Sequence, residues 1–510
     1  MIQRAIKLHS LLAVICLSLV SPLLAKETPM NVVFILADDL GWADTTLYGH
    51  TELYPTPNIA RLAERGMTFT RAYANPLCSP SRASLLTGQT AARHGITRPW
   101  SNSPEEQLKP QLFESAEPGD KVRSVFPVTR LDTKIPTLGK LFKTKGYQTG
   151  HFGKWHLGHN QYVPLNHGFD VSIPRAAGAG PAGGYLAPWR YKELRNAKPN
   201  EHIEDRMALE ATQWFDTLES DRPFFMNYWQ FSVHAPFGAK QELIESYRSK
   251  IDTADEQCSA LYAAMVHSLD DGVGTVLDMV DAAGIADNTI IVFYSDNGGN
   301  MYASFPDAPT ATSNRPLRGG KGTIFEGGIR VPAIIVWPGV TKPGSRSDEL
   351  IQISDFYPTF ARQLGLDIPA DHAVDGVDIT PVLKGGELDR DAVFTYFPYA
   401  TTMIPDWLPD SVCVHSGDWK LIRMFHQGEG GKHAYRLYNL AEDIGESNDL
   451  SSQYPERVAS LDQRIEAYLS ASNAVVPVPN PEFDPAQYRP ELIGVKLSTD
   501  VKKLKKKKKK

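Results

Sequence analysis

Two hydrophobic periods divide the chain. Continuous apolar runs rich in β-branched and aromatic residues recur at 31–37, 223–231, 288–295 and 331–337. They are too short for helices and show no alternation, which predicts strands buried on both faces, as in a parallel sheet. Amphipathic stretches at 56–66, 137–146, 206–218, 261–283 and 354–364 predict helices, several with a polar start or a glycine end. Residues 67–73 alternate and predict a further strand, and Gly146 and Gly153 bracket another short one. The expected architecture is α/β: a large, mostly parallel central sheet flanked by helices.

Past about residue 388 the period changes. Short strands at 393–396, 412–415, 419–424 and 436–439, then a helix over 455–469, predict a smaller C-terminal antiparallel sheet with one helix. Residues 97–130, rich in Pro, Glu and Ser, predict an inserted surface loop beside a substrate mouth. Residues 178–184 form a glycine-rich flexible loop that lacks the dinucleotide pattern. Residues 476–510 are Pro-rich and then Lys-rich, and predict an extended or disordered tail. The expected division is a leader over 1–25, a catalytic α/β domain over 26–387, a small α+β unit over 388–475 and the tail over 476–510.

Composition sharpens this only at the ends. The 510 residues are 42% hydrophobic and 22% charged, ordinary for a globular chain. The net charge of -6 includes eight lysines within 502–510, and without them the body carries -14. An acidic body argues against nucleic-acid binding. The lysine run reads as a solvated tail, with attraction to an anionic polymer or a scar of cloning as the other readings. At the start, Arg4 and Lys7 precede an apolar stretch over 11–24 that ends at Ala25. This resembles a secretory signal and is short for a membrane span, so the expectation is export to the periplasm or beyond, with no transmembrane segment in the mature chain. Of the four cysteines, Cys16 leaves with the leader, and Cys258 and Cys413 either pair or stay as buried thiols.

Candidate chemistry collects where predicted strands end. Asp38-Asp39 follow the first strand, and Asp296-Asn297 follow the strand at 288–295. Hard oxygen donors at strand ends suit Ca²⁺ or Mg²⁺ rather than zinc, with helix capping as the plainer reading of either Asp. Lys154 and His156 follow the strand bracketed by Gly146 and Gly153, and His234 lies in His234-Ala235-Pro236 after 223–231. Lys321 sits in a glycine-rich segment that is no Walker A loop, because Gly322 follows it. Cys78-Ser79-Pro80-Ser81-Arg82 opens a helix over 81–86, with Arg82 one turn beyond the cysteine. That turn either holds a reactive group against an anion or buries an inert thiol.

Cys78-Ser79-Pro80-Ser81-Arg82 with the following Ala-Ser-Leu-Leu-Thr-Gly resembles the signature of the formylglycine-dependent sulfatases, the arylsulfatase-like family of the alkaline-phosphatase superfamily. Gly146-Tyr147-Gln148-Thr149 and Gly153-Lys154-Trp155-His156 resemble the second signature, departing from it at Phe152. The ordered motifs cover roughly residues 30–450. The resemblance implies an alkaline-phosphatase-like fold and a sulfuric ester hydrolase. It implies that Cys78 is converted to formylglycine by a formylglycine-generating enzyme. It also implies that one divalent cation, usually Ca²⁺ and sometimes Mg²⁺, is held by Asp38, Asp39, Asp296, Asn297 and the modified residue 78. Arg82, Lys154, His156, His234 and Lys321 become the further catalytic residues. The hydrated aldehyde would attack sulfur, with Asp296 as proton acceptor and His234 protonating the departing alcohol. His156 would then free the sulfate.

Two rivals remain at this level. One is a phosphate or phosphonate monoester hydrolase of the same superfamily. The other is a glycan-binding relative without catalysis. Export, and aromatic residues Trp155, Trp189, Tyr191 and Trp229 read as a sugar-facing cleft, favour a sulfated carbohydrate such as an algal polysaccharide or a glycosaminoglycan.

Overall fold

A computed structural model describes residues 29–175, 178–302 and 307–496. The predicted leader over 1–25 and the lysine run within 502–510 lie outside the described residues. Among the described residues, nine strands form the central sheet: β1 (Asn31–Ala37), β2 (Met67–Tyr73), β3 (Gln148–Gly153), β4 (Val171–Ile173), β5 (Phe224–Trp229), β6 (Thr289–Ser295), β7 (Arg330–Val336), β8 (Ser345–Ser347) and β9 (Ile351–Gln352). Their order is β8–β2–β7–β6–β1–β5–β3–β4, and β9 also pairs with β2. Every pairing among them is parallel except those of β7, which runs against both β6 and β2. That single reversal restores β2 to the direction of β1 and β6. The carboxyl ends of β1, β2, β3, β5 and β6 therefore share one edge with the start of β7.

The apolar run of β1 explains its place at the centre. Val33, Ile35 and Ala37 face a core built with helices α1 (Pro57–Arg65), α4 (Ile203–Phe215) and α5 (Ala260–Ala282). Val32, Phe34 and Leu36 face a second core with α2 (Cys78–Thr87), α3 (Leu138–Thr144) and α6 (Phe356–Leu364). All six side chains are fully buried, and the larger ones contribute about 1.5–3 kcal/mol each. No described helix is long and apolar enough to cross a membrane.

A second, antiparallel sheet contains β10 (Val393–Phe397), β11 (Ser411–Ser416), β12 (Trp419–Met424) and β13 (Ala434–Asn439), in that order. One face packs on Leu461, Ile465 and Leu469 of α7 (Pro455–Ala471). The other packs on Phe325, Ile329 and Tyr73 of the larger unit. Between the two sheets lies a buried ionic cluster. Glu326 accepts from Tyr73 Oη at 2.9 Å, His415 Nε2 at 2.7 Å and Lys420 Nζ at 3.0 Å. Lys420 also meets Glu446 at 2.8 Å.

Several expectations change. Helix α2 begins at Cys78 rather than Ser81, and α4 begins at Ile203 rather than Arg206. The 97–130 loop is substantially buried in places, with Arg98, Val122, Val125 and Arg130 all covered. Trp155, Trp229 and Trp189 are core residues rather than walls of a sugar cleft. Trp155 and Trp229 stack 6.0 Å apart beside His151. Cys258 and Cys413 are buried free thiols. Residues 476–496 are neither simply extended nor disordered: one short strand is followed by turns and a 3-10 turn at Pro490–Leu492, and the segment is firmly held. Val478–Pro479 pairs with Val122–Arg123, and Asn480 Nδ2 donates to Glu117 O and Asp120 O. Farther on, Asp406 N–H donates to Gly494 O and Trp407 Nε1 to Val495 O.

Candidate active site

The strand ends deliver their polar residues to one buried point. Asp38 and Asp39 leave β1, and Asp39 turns sharply with φ 63°. Asp296 and Asn297 leave β6, and Asp39 N–H donates to Asp296 Oδ1 at 3.2 Å. Gly298 is needed there, because a Cβ on it would lie 1.8 Å from Gly327 O. Lys154 and His156 follow β3. Gly153 (φ 106°) lets that strand end pass against Trp229 O, and His156 holds φ 58°. Such left-handed positions are costly for residues with a side chain and cluster where function demands them.

Cys78, the first residue of α2, is 1% exposed, and its Sγ lies 3.2 Å from His156 Nδ1. Ser79 Oγ donates to His156 O at 2.7 Å and fixes that turn, a role the motif alone does not reveal. Arg82 lies within electrostatic reach of Cys78, as helical spacing suggests, but its hydrogen bonds go elsewhere. Its Nε and Nη2 donate to Asp296 Oδ2 at 2.9 and 2.7 Å, and its Nη1 donates to Lys154 O. It therefore braces the ends of β6 and β3, which stand on either side of β1 and β5. Asp296 accepts from Arg82 through Oδ2 and from Asp39 N–H through Oδ1.

Lys154 Nζ meets Asp38 Oδ2 at 2.6 Å, and Lys321 Nζ meets the Asp39 carboxylate at 2.7 Å. His234 Nε2 stands 3.9 Å from Asp39 Oδ2. All the site residues expected from sequence thus come together: Asp38, Asp39, Cys78, Arg82, Lys154, His156, His234, Asp296, Asn297 and Lys321. His159 does not join them; it is exposed, with Nδ1 on Ser101 O. Of this set, only His234 (15%) and Lys321 (13%) retain appreciable exposure, so the opening lies between them.

Burial dominates the electrostatics. It pushes the Asp38 carboxyl well up, against the pull of Lys154. It raises the Cys78 thiol, with Lys154 and Lys321 opposing. Burial, then Lys154, drive both His156 and His234 well below the usual imidazole value. Burial also pulls Lys321 down, but Asp39 and Cys78 outweigh it and hold the ammonium firmly charged.

Donor atoms of Asp38, Cys78 and Asp296 lie within 4.8 Å of one another, as do those of Asp38, Asp39 and His234. Asp38 Oδ1 and Asn297 Oδ1 are buried without a hydrogen-bond partner among the described residues. Two orphaned hard oxygens inside a carboxylate cluster fit a divalent, oxygen-seeking cation.

Fold and site together define an α/β enzyme of the alkaline-phosphatase-like class, built around an anionic cluster at the carboxyl ends of its strands. Residues 30–366 match the sulfatase family model, and residues 320–471 match that of the N-sulphoglucosamine sulphohydrolase C-terminal region. A sulfatase of Formosa agariphila is 30% identical, covering 89% of this chain and 93% of that protein. The N-acetylgalactosamine-6-sulfatase of Rattus norvegicus is 34% identical over 72% of this chain and 68% of its own length. The solved structure of Ps i-CgsB in complex with k-i-k-neocarrahexaose is similar at a TM-score of 0.68 and 26% identity, covering 86% of this chain and 93% of that one. The chain belongs to the sulfatase family and is a hydrolase of sulfate esters.

Proposed function

We propose that the protein removes sulfate from a sulfated carbohydrate, using residue 78 as formylglycine and one divalent cation, Ca²⁺ before Mg²⁺, after export from the cytoplasm. The observation that carries this reading is the meeting of Cys78, His156, Asp38 and Asp296 in one buried cluster, with Lys154, Lys321 and His234 around it. The sugar assignment draws on a relative named N-acetylgalactosamine-6-sulfatase and on a similar structure solved with k-i-k-neocarrahexaose.

Asp38, Asp39, Asp296, Asn297 and residue 78 would hold the cation, which when bound supplies charge to polarise the sulfate group and favour an ionised hydroxyl nearby. The charges fit. Three carboxylates already face three cations, Arg82, Lys154 and Lys321. A dication is then balanced by a sulfate monoester and one ionised hydroxyl. The aldehyde, once hydrated, supplies that hydroxyl as nucleophile and a second hydroxyl through which sulfate is expelled.

The chain's own groups do the rest. Lys154 and Lys321 stand ready to bind sulfate oxygens as charge builds on them. His156, against residue 78, takes the proton of the second hydroxyl. His234 protonates the departing sugar oxygen, aided by Lys321. The anionic sulfate brings negative charge beside His234 and favours its charged form. Over a full cycle, water and the ester give free sulfate and an alcohol.

The test is sulfate release from defined sulfated oligosaccharides, paired with phosphate esters, and mass spectrometry of the peptide containing residue 78. Sulfate release together with a thiol-to-aldehyde mass change is expected, and Cys78→Ala should lose at least about 10³-fold in kcat. Preferential phosphate release, or full activity with an intact thiol, would overturn the reading.

A further inference from the structure

His234 leaves β5 on a segment gripped from one side by residues 185–204. Tyr185 Oη is set against Phe231 O at 2.6 Å and His234 O at 2.7 Å. Glu204 Oε1 accepts from Phe231 N–H at 2.9 Å and from Ser232 N–H at 2.7 Å. His202 Nε2 lies 3.4 Å from Gly238 O, and its ring stacks on Tyr185 at 5.6 Å. Tyr185, His202 and Glu204 are all buried, and Tyr185 O accepts from Ile203 N–H, so the three form one unit. Ahead of that unit, the glycine-rich loop reaches the rim, where a Cβ on Gly180 would lie 3.5 Å from Ala235 O.

Among the described residues Glu204 has no cation to pair with, and its Oε2 has no hydrogen-bond partner. Burying a carboxyl in this way is costly unless its oxygen is needed as an acceptor. What it accepts are the two amides immediately before the His234 turn. Among the described residues neither Tyr185 nor Glu204 hydrogen-bonds a side chain of the site; both act on backbone groups.

We infer that Tyr185 and Glu204 are positioning residues for His234: they fix its backbone so that the imidazole meets the leaving oxygen. This rests on the reading of His234 as the acid that protonates the departing alcohol. A group that only orients an acid matters most where the leaving group is poor and the proton is needed, and little where the leaving group departs unaided.

The experiment is a leaving-group series on the matured enzyme, from 4-nitrophenyl sulfate to phenyl sulfate, with Tyr185→Phe, Glu204→Ala, Glu204→Gln and His234→Ala. Tyr185→Phe removes one hydroxyl and no packing. It should lower kcat on phenyl sulfate by about 10- to 100-fold, with KM unchanged, while changing 4-nitrophenyl sulfate by no more than about threefold. Glu204→Ala should behave alike. Glu204→Gln, whose amide oxygen still accepts, should recover to within about threefold of wild type on both. Equal losses on both esters in Tyr185→Phe, or none, overturn the inference, provided that His234→Ala shows the selective loss. A non-selective His234→Ala overturns the underlying reading of His234 instead. If Glu204→Ala fails to fold, Tyr185→Phe alone decides.

Discussion

Asp39 and His156 hold backbone conformations that side-chain-bearing residues avoid, at a cost of about 1–3 kcal/mol each. His156 turns its ring toward residue 78 and Asp39 turns its carboxylate toward Asn297 and Lys321, and both are braced: Asp39 by Asp296, and His156 by Ser79. Buried carboxylates so close together are kept apart in charge only by Arg82, Lys154 and Lys321. Removing divalent ions with EDTA should therefore stop turnover and lower the melting temperature, and Ca²⁺ should restore both. At a hundredfold excess over its Kd, a bound ion adds about 2.7 kcal/mol. Identical melting and activity with and without chelator would sink the cation site. The sequence revealed these residues because their types are conspicuous at the ends of apolar strands. Tyr185 and Glu204 gave no such signal, since they act on backbone groups of a segment more than 25 residues away.

Strands were more legible than helix starts. β1 and β2 fall on the expected bounds: the apolar run of β1 ends abruptly at Asp38, and β2 stops just before the turn that begins at Asn75. α2 and α4 begin three residues early. α2 has Leu77 at its cap and no side-chain cap bond, while α4 is capped by His202, so neither offers the usual Ser, Thr or Asp start. The reversal of β7 was not legible, because a strand buried on both faces looks the same in either direction.

The Glu326 cluster ties the glycine-rich segment bearing Lys321 to β11 and β12. Burial works to raise Glu326, yet Lys420 and His415 outweigh it and hold the carboxyl well below its usual value. Glu326→Ala strands Lys420 with Glu446 alone, and should cost about 3–5 kcal/mol in urea unfolding. A loss below about 1 kcal/mol would show the cluster to be dispensable.

His167 makes the acid side testable. Burial, reinforced by Lys140, drops it to about 3, and both ring nitrogens lack partners among the described residues. The unfolded chain takes up a proton below about 6.5 that the folded chain refuses until about 3. Stability should fall as pH drops through that window. His167→Phe should flatten the slope by up to about 1.4 kcal/mol per pH unit, read from denaturation midpoints between these limits. An unchanged slope would contradict the burial argument.

At the scale of the whole molecule, the two sheets pack together beside one nearly closed cluster, and the 97–130 loop and the 476–496 segment are tied to each other. The sequence announced the change of period past residue 388 but not that the proline-rich stretch beyond it is pinned. Its bonds go to backbone groups of loops, which leave no pattern in composition. Lys496 Nζ donates to Tyr302 O at 3.3 Å. Tyr302 lies three residues beyond Gly299, whose carbonyl accepts from Lys321 N–H. Met30, in contrast, precedes β1 at the far edge of the sheet, about 23 Å away along seven residues. The protein is thus polarised for attachment to a surface. Bound to a bead through residues near 29, it should turn its mouth outward and work on long polymers as it does in solution. Bound through residues beyond 496, it should keep its rate on a small aryl sulfate while slowing severalfold on a polymer. Equal rates in both orientations would mean that the entrance faces elsewhere.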